Sequence, residues 1–345
     1  MDAASDSQLA GRNDDATSPT DDIFDCAATS TATFPNTAAS ASAIQPPARL
    51  QRSCIPPPID TENTPASGIE PLIVDDAGDH AKVADTECAH IGVAFSKNRR
   101  YRRTMEDAHY HKYDFGGVAG QLFMAIFDGH AGKQAALWCG EHFADIFLEL
   151  REAHKGDSVP ELFNRTFIEA DRRLAADVQT HSGCTVAAAF LEISEVAGKR
   201  TRTLYCANVG DARAVLSRGG TAKRLTYDHK GDDAHEIERI SEAGGYVFNG
   251  RVNGILAVTR ALGDSSLKQF VIGNPYTTET RLDDQDDVLI LACDGLWDVC
   301  SDQEAVDLVR NEPKPARASE LLLEHALTND SMDNVTTMVF RLPPT

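Results

Sequence analysis

"CTVAAAFLEISEVAGKRTRTLYCANVGDARAVLS", residues 184–217, decides the fold class. Three strand-like runs, 184–193, 202–209 and 213–217, follow one another with no helical pattern between them. Outward from this stretch, further strand-like runs occupy 90–95, 121–127, 246–248, 255–258, 288–293 and 335–341. Helical patterns fill 132–153, 159–178, 233–243, 302–311 and 315–328. In the first of these, Leu137, Trp138, Phe143, Phe147 and Leu150 share one broad face. "SDQE", 301–304, reads as a capping box opening the fourth. Strand succeeding strand, with helices outside, predicts an α+β fold with antiparallel sheets rather than an alternating β-α-β chain.

The chain has 345 residues, with 33 Lys+Arg against 53 Asp+Glu. Residues 1–88 hold 15 acids and 4 bases and only two aromatics, Phe24 and Phe34. Such a composition buries too little apolar surface to offset chain entropy, so 1–88 reads as a disordered acidic tail and 89–345 as the folded, catalytic part. No block of Lys and Arg tracks a nucleic-acid backbone, which argues against DNA or RNA as partner. No apolar run approaches the ~18 residues of a membrane-spanning helix. Eight cysteines are scattered without any C-x-x-C, and Cys184, Cys206 and Cys293 lie in apolar runs. That usage suits a reducing compartment, so a cytoplasmic and nuclear location is expected.

Acidic residues recur at the ends of buried-looking strands. "LFMAIFDGHAG", 122–132, ends its strand in Asp128-Gly129, and "VLILACDGLWDV", 288–299, ends in Asp294 with Asp298 beyond. "NVGDARAV", 208–215, places Asp211 after Gly210; in "SMDNVTTMVF", 331–340, Asp333 and Asn334 lead into a strand. "RRTMEDAHY", 102–110, adds Glu106 and Asp107 just after Arg102 and Arg103. One such Asp is usually structural. Several together in a partly dry site repel one another unless cations intervene. Carboxylates, a backbone carbonyl and water are hard donors suited to Mg²⁺ or Mn²⁺. Two such ions roughly 3.5–4 Å apart serve phosphoryl chemistry.

The segments "RRTMEDAH", "FDGHAG", "SGCT", "ANVGDAR", "LTYDHK", "RVNGILAVTRALGD", "ACDGLWDV" and "MDNVTTMVF" stand in the order found in metal-dependent Ser/Thr protein phosphatases of type 2C, the PPM family. The resemblance covers about 90–342. "YRRTMEDAH", "TYDHK" and "LAVTRALGD" are most similar to fungal members that act on stress-activated MAP-kinase pathways. It implies two antiparallel sheets packed as a sandwich and flanked by helix pairs, with two Mg²⁺ or Mn²⁺ ions in the cleft between them. By the resemblance, Asp128 bridges both ions, Gly129 lends its carbonyl to one, and Asp294 and Asp333 hold the other. Glu106 holds metal-bound water, with Asp107 beside it, and Asp211 joins Asp294 at a weaker third ion. Asn334 and Asp298 orient ligands rather than touch metal. Arg102 grips phosphate and His130 protonates the departing Ser or Thr oxygen.

Hydrolysis by water needs no phosphoenzyme, so Cys184 and Cys293 should be dispensable. The implied partners are phosphoprotein substrates, MAP kinases among them, and the implied state is a monomer. Arg103 could replace Arg102, His130 could merely cap the helix starting near Gly132, and Arg260 with Asp264 reads as a buried pair shaping a loop. "DHKG" has Gly231 where the family has Pro, which loosens the expected rigidity of the adjoining flap. A docking protein without turnover and a small-molecule phosphohydrolase are the competing functions.

Overall fold

Among the described residues every pairing of named strands is antiparallel. The computed structural model describes residues 82–83, 90–196 and 198–343. In chain order the elements are β1 (Lys82–Val83), β2 (Ile91–Ser96), β3 (Ala108–Tyr113), β4 (Leu122–His130), α1 (Gln134–Ala153), α2 (Val159–Asp177), β5 (Gly183–Val196), β6 (Lys199–Val209), β7 (Arg213–Arg218), β8 (Thr221–Arg224), α3 (Ala234–Glu242), β9 (Val247–Phe248), β10 (Arg251–Val252), β11 (Leu262–Gly263), β12 (Tyr276–Arg281), β13 (Asp286–Ala292), α4 (Asp294–Trp297), α5 (Asp302–Val309), α6 (Pro315–Thr328) and β14 (Val335–Arg341). One sheet runs β1-β2-β14-β13-β7-β8; the other runs β12-β6-β5-β4-β3, with β11 against β5. β9 and β10 form a separate hairpin.

The sandwich follows from alternation. A strand sends successive side chains to opposite faces, so a strand covered on both faces must be apolar throughout. On β4, Phe123, Ala125 and Phe127 pack under α1 and α2, while Leu122, Met124 and Ile126 fill the layer between the sheets. On β13, Val288, Ile290 and Ala292 pack with Val306, Leu322 and Leu323 of α5 and α6; Leu289 and Leu291 face the inter-sheet layer. The order is therefore helices, sheet, sheet, helices, as expected. Phe123, Phe143, Phe147, Phe163 and Phe190 cluster beneath α1 and α2. Each such side chain contributes roughly 1.5–3 kcal/mol by leaving water. Ser158 caps α2, and Ser301 with Glu304 makes the expected capping box on α5.

Four readings need correction. Residues 255–258 form no strand: Val258 and Leu256 make single bridges, and Val258 turns into a small cluster with Ile240, Val252 and Val271. β3, β8 and β12 escaped notice because they carry His, Lys, Arg, Thr and Glu at exposed or half-buried positions. Arg260 pairs with Glu236 at 2.6 Å, not with Asp264. Gly231 serves close packing rather than looseness, since a Cβ there would overlap the Gly250 backbone. The tail lies outside the described residues apart from β1, which pairs with Phe95 and Ala94 and so begins ahead of the boundary at residue 88. No helix among the described residues is long and apolar enough to cross a membrane.

Candidate metal centre

Alternation also aims the acids. Asp128 continues the inner face of β4, behind Met124 and Ile126. Ala108 packs on the helix side, so Asp107 before it falls on the inner side, where it accepts a 2.6 Å hydrogen bond from the Thr336 hydroxyl of β14. That bond joins the two sheets. Asp294 opens α4 directly after β13, and Asp211 lies in the link by which the chain leaves β6 in one sheet for β7 in the other. One carboxylate oxygen from each of Asp128, Asp211 and Asp294 lies within 4.8 Å of the other two. Oxygens of Asp107 and Asp128 and the Cys293 sulfur form a second such group.

Burial, with Asp294, Asp107, Asp211 and Asp333 around it, holds the Asp128 carboxyl well above the usual range. Burial does the same to Asp294, reinforced by Asp211 and Asp333. Burial pushes Asp107 up to about 6, against the hydrogen bond from Thr336. Converging buried carboxylates that resist ionisation fit a divalent cation, which relieves both desolvation and repulsion. The donor set is hard oxygen. A further polar atom points the same way: the buried Thr185 hydroxyl, on the residue opposite Asp128 across β4 and β5, has no hydrogen-bond partner.

Gly129 is required by crowding, because a Cβ there would strike the Glu106 carbonyl. Glu106 itself stands at the rim, accepting from the Thr104 hydroxyl at 2.8 Å and from the Gly132 amide at 3.1 Å. Asn334 accepts from the Glu106 amide at 2.8 Å and donates to the Lys97 and Thr104 carbonyls, so it fixes the segment carrying Glu106. Asp333 is not in either close group; its carboxylate is held by Arg102. Arg102 also donates to the Met332 carbonyl at 3.3 Å.

Two partners were missed in the sequence. Lys230 reaches Asp211 at 3.3 Å and Asp298 at 3.4 Å, placing an ammonium beside the group of three acids. Asp264 meets His130 Nε2 at 2.8 Å, and no side chain caps α1, so His130 is not a helix cap. Only "DHKG" and "ALGD" flagged these residues, and neither segment says what it meets. Cys184 and Cys293 are buried with thiols held well above their usual range, Cys184 by its contact with Cys139 and by burial, Cys293 by burial and nearby Asp residues. Neither thiol is poised as a nucleophile.

A family model described as Protein phosphatase 2C matches residues 91–335. The chain is 48% identical over 255 residues to Protein phosphatase 2C homolog 1 of Schizosaccharomyces pombe, covering 73% of this chain and 72% of that protein. It is 43% identical over 258 residues to Protein phosphatase 2C homolog 1 of Saccharomyces cerevisiae, covering 72% of this chain and 92% of that protein. A crystal structure of a phosphatase from Toxoplasma gondii shares the fold, with TM-score 0.62, 23% identity, and coverage of 74% of this chain and 95% of its own.

Proposed function

The chain belongs to the protein phosphatase 2C family, as a Mg²⁺- or Mn²⁺-dependent protein serine/threonine phosphatase, and on that premise we propose which residues do its chemistry and where its substrates lie. The observation carrying the assignment is the meeting of Asp128, Asp211 and Asp294, from three separate segments, in one close group, with Asp107 joined to it through Asp128. Asp128, the Gly129 carbonyl, Asp294 and Asp333 would hold the two ions. Asp211 and Asp294 would serve a weaker third, and Glu106, held by Asn334, would act at the rim. When bound, the ions supply Lewis-acid charge beside the phosphoryl oxygens and bring water ionisation near neutral pH.

The protein's own groups do the rest. Arg102, at the edge of the acidic group, offers a planar fork to two phosphate oxygens. His130 gives a proton to the departing serine or threonine oxygen. Because Asp264 occupies Nε2, that proton leaves from Nδ1. Asp107 ties the sheets together through Thr336 and so fixes the distance between the acids they carry.

The pathway we propose is MAP-kinase-type signalling, with MAP kinases among the substrates, in cytoplasm and nucleus, and with a monomeric enzyme. The wording of "YRRTMEDAH", "TYDHK" and "LAVTRALGD", most similar to fungal members of the family, supports this reading. Residues 1–88 are proposed to be dispensable for turnover of a small phosphate, and a chain starting at His90 that loses this activity overturns the proposal. The direct test is turnover of a phosphothreonine peptide with EDTA, and with Asp294→Asn in Mn²⁺. Both should remove activity, the variant by at least ~10²; activity surviving both overturns the assignment. Phosphoproteomics after acute depletion tests the pathway, which fails if no MAP-kinase site gains phosphate.

A further inference from the structure

Outside the acidic cleft, Cys300, Glu304 and His325 bring a sulfur, a carboxylate oxygen and an imidazole nitrogen within 4.8 Å of one another. Cys300 precedes the Ser301 cap of α5, Glu304 is the third residue of that helix, and His325 lies in the last turn of α6. Their closeness is built by the fold, since α5 and α6 lie side by side over the same sheet. The Cys300 residue is 3% exposed, and the His325 side chain is 16% exposed against 50% for Glu304. The group is therefore enclosed on two sides and open to solvent through Glu304.

His325 Nε2 is fully buried and has no hydrogen-bond partner. Glu304 Oε1 faces it at 3.6 Å, too far for a hydrogen bond. A buried nitrogen in that state is destabilising unless something occupies the gap. Glu304 Oε2 accepts from the Ser301 amide within the capping box, which fixes the carboxylate and leaves Oε1 for the gap. Burial, with Glu304 and Asp302 nearby, pushes the Cys300 thiol up to about 12, so without a cation it keeps its proton.

We propose that Cys300, Glu304 and His325 form a Zn²⁺ site that clips α5 to α6. One thiolate, one imidazole and one carboxylate, with water in the fourth place, are a donor set that Zn²⁺ accepts in tetrahedral geometry. Zn–S near 2.3 Å and Zn–N near 2.0 Å require ligand atoms about 3.5 Å apart, so small side-chain rotations close the group. Sulfur and nitrogen select against Mg²⁺ and Mn²⁺, which the oxygen-lined cleft prefers, so the two sites sort different ions. On binding, the Cys300 proton passes to solvent as the S–Zn bond forms. Oε1 and Nε2 give lone pairs, the two negative ligands balance the ion, and nothing is oxidised or reduced.

The test uses the full chain with its acidic cleft saturated with Mg²⁺ and Co²⁺ as the probe. The expected result is about one Co²⁺ per chain with a near-ultraviolet sulfur-to-metal band, displaced by Zn²⁺. Cys300→Ser should abolish the band, and His325→Gln should weaken Co²⁺ binding at least tenfold. Cys293→Ala should leave the band intact, which separates this site from the thiol beside Asp107 and Asp128. Zn²⁺ should raise the melting temperature of the parent chain and not of Cys300→Ser. Mg²⁺-dependent turnover of an aryl phosphate by Cys300→Ser and His325→Gln, unchanged, shows that both variants fold. A parent chain without the band, or a band that persists in Cys300→Ser, overturns the proposal.

Discussion

His130 Nε2 and Asp264 Oδ2 lie 2.8 Å apart although 134 residues separate them, and Asp264 is nearly inaccessible to solvent. The carboxylate fixes which ring nitrogen carries the shared proton and which way the ring faces. On the proposed mechanism, in which His130 donates the proton, Asp264 is a positioning residue for it. Asp264→Asn should lower kcat on a phosphoserine peptide by roughly 10–10², and on p-nitrophenyl phosphate far less, because that leaving group departs without help. Gly183→Ala should act likewise, since its Cβ would wedge against both His130 Nε2 and Asp264. Equal losses on both substrates would show a merely structural role.

Arg102 touches Asp333 and the Met332 carbonyl, and on the proposed mechanism its fork binds the phosphate. Arg102→Ala should raise KM for a phosphopeptide about tenfold or more, with a smaller effect on kcat. Arg103, which makes no such contact in the cleft, is the control, and Arg103→Ala should leave KM near its parent value. Steady-state kinetics at saturating Mn²⁺ decides between them.

Lys230 puts a positive charge 3.3 Å from Asp211, where it would compete with a divalent ion proposed to use the same carboxylate. Lys230→Gln should lower the Mg²⁺ concentration for half-maximal activity by roughly threefold or more. A rise instead would mean that the ammonium holds Asp211 in its ligating position. The readout is a Mg²⁺ titration of turnover at fixed substrate.

Burial, and His111 beside it, push His109 down to about 3; burial also lowers His111 and pushes His229 down to about 4. Folded values below the unfolded value of ~6.5 mean that the unfolded chain binds more protons. The stability these histidines provide is complete above pH ~6.5 and is lost as pH falls through the folded values. His109→Phe, beside Phe95 at 5.6 Å, should flatten the fall in melting temperature between pH 7 and 4. Raised carboxyls such as Asp107 act in the opposite sense over part of that window, so the measurement is the difference between variant and parent, in which they cancel.

The long strands were legible because alternation is local. β4 and β13, and the central runs of β5 and β14, are largely apolar on both faces, as a doubly covered strand requires. β12, "YTTETR", was not legible, because its exposed face carries the same residues as a loop. The acids at strand ends could be nominated from Asp-Gly after an apolar run. The cations and histidines that meet them could not.

By itself the sequence determined the strand-after-strand order of an antiparallel α+β fold, the Ser301 capping box and the carboxylates at strand ends, all of which rest on spacing within a few residues; the sandwich followed only from the family resemblance. Only the tertiary structure decided the partners: Arg102 with Asp333, Lys230 with Asp211, His130 with Asp264, Arg260 with Glu236, Cys300 with His325. Each joins segments whose approach depends on how sheets and helices stack. Electrostatic attraction has no periodicity along a chain, so a charge shows its partner only once packing has chosen its neighbours.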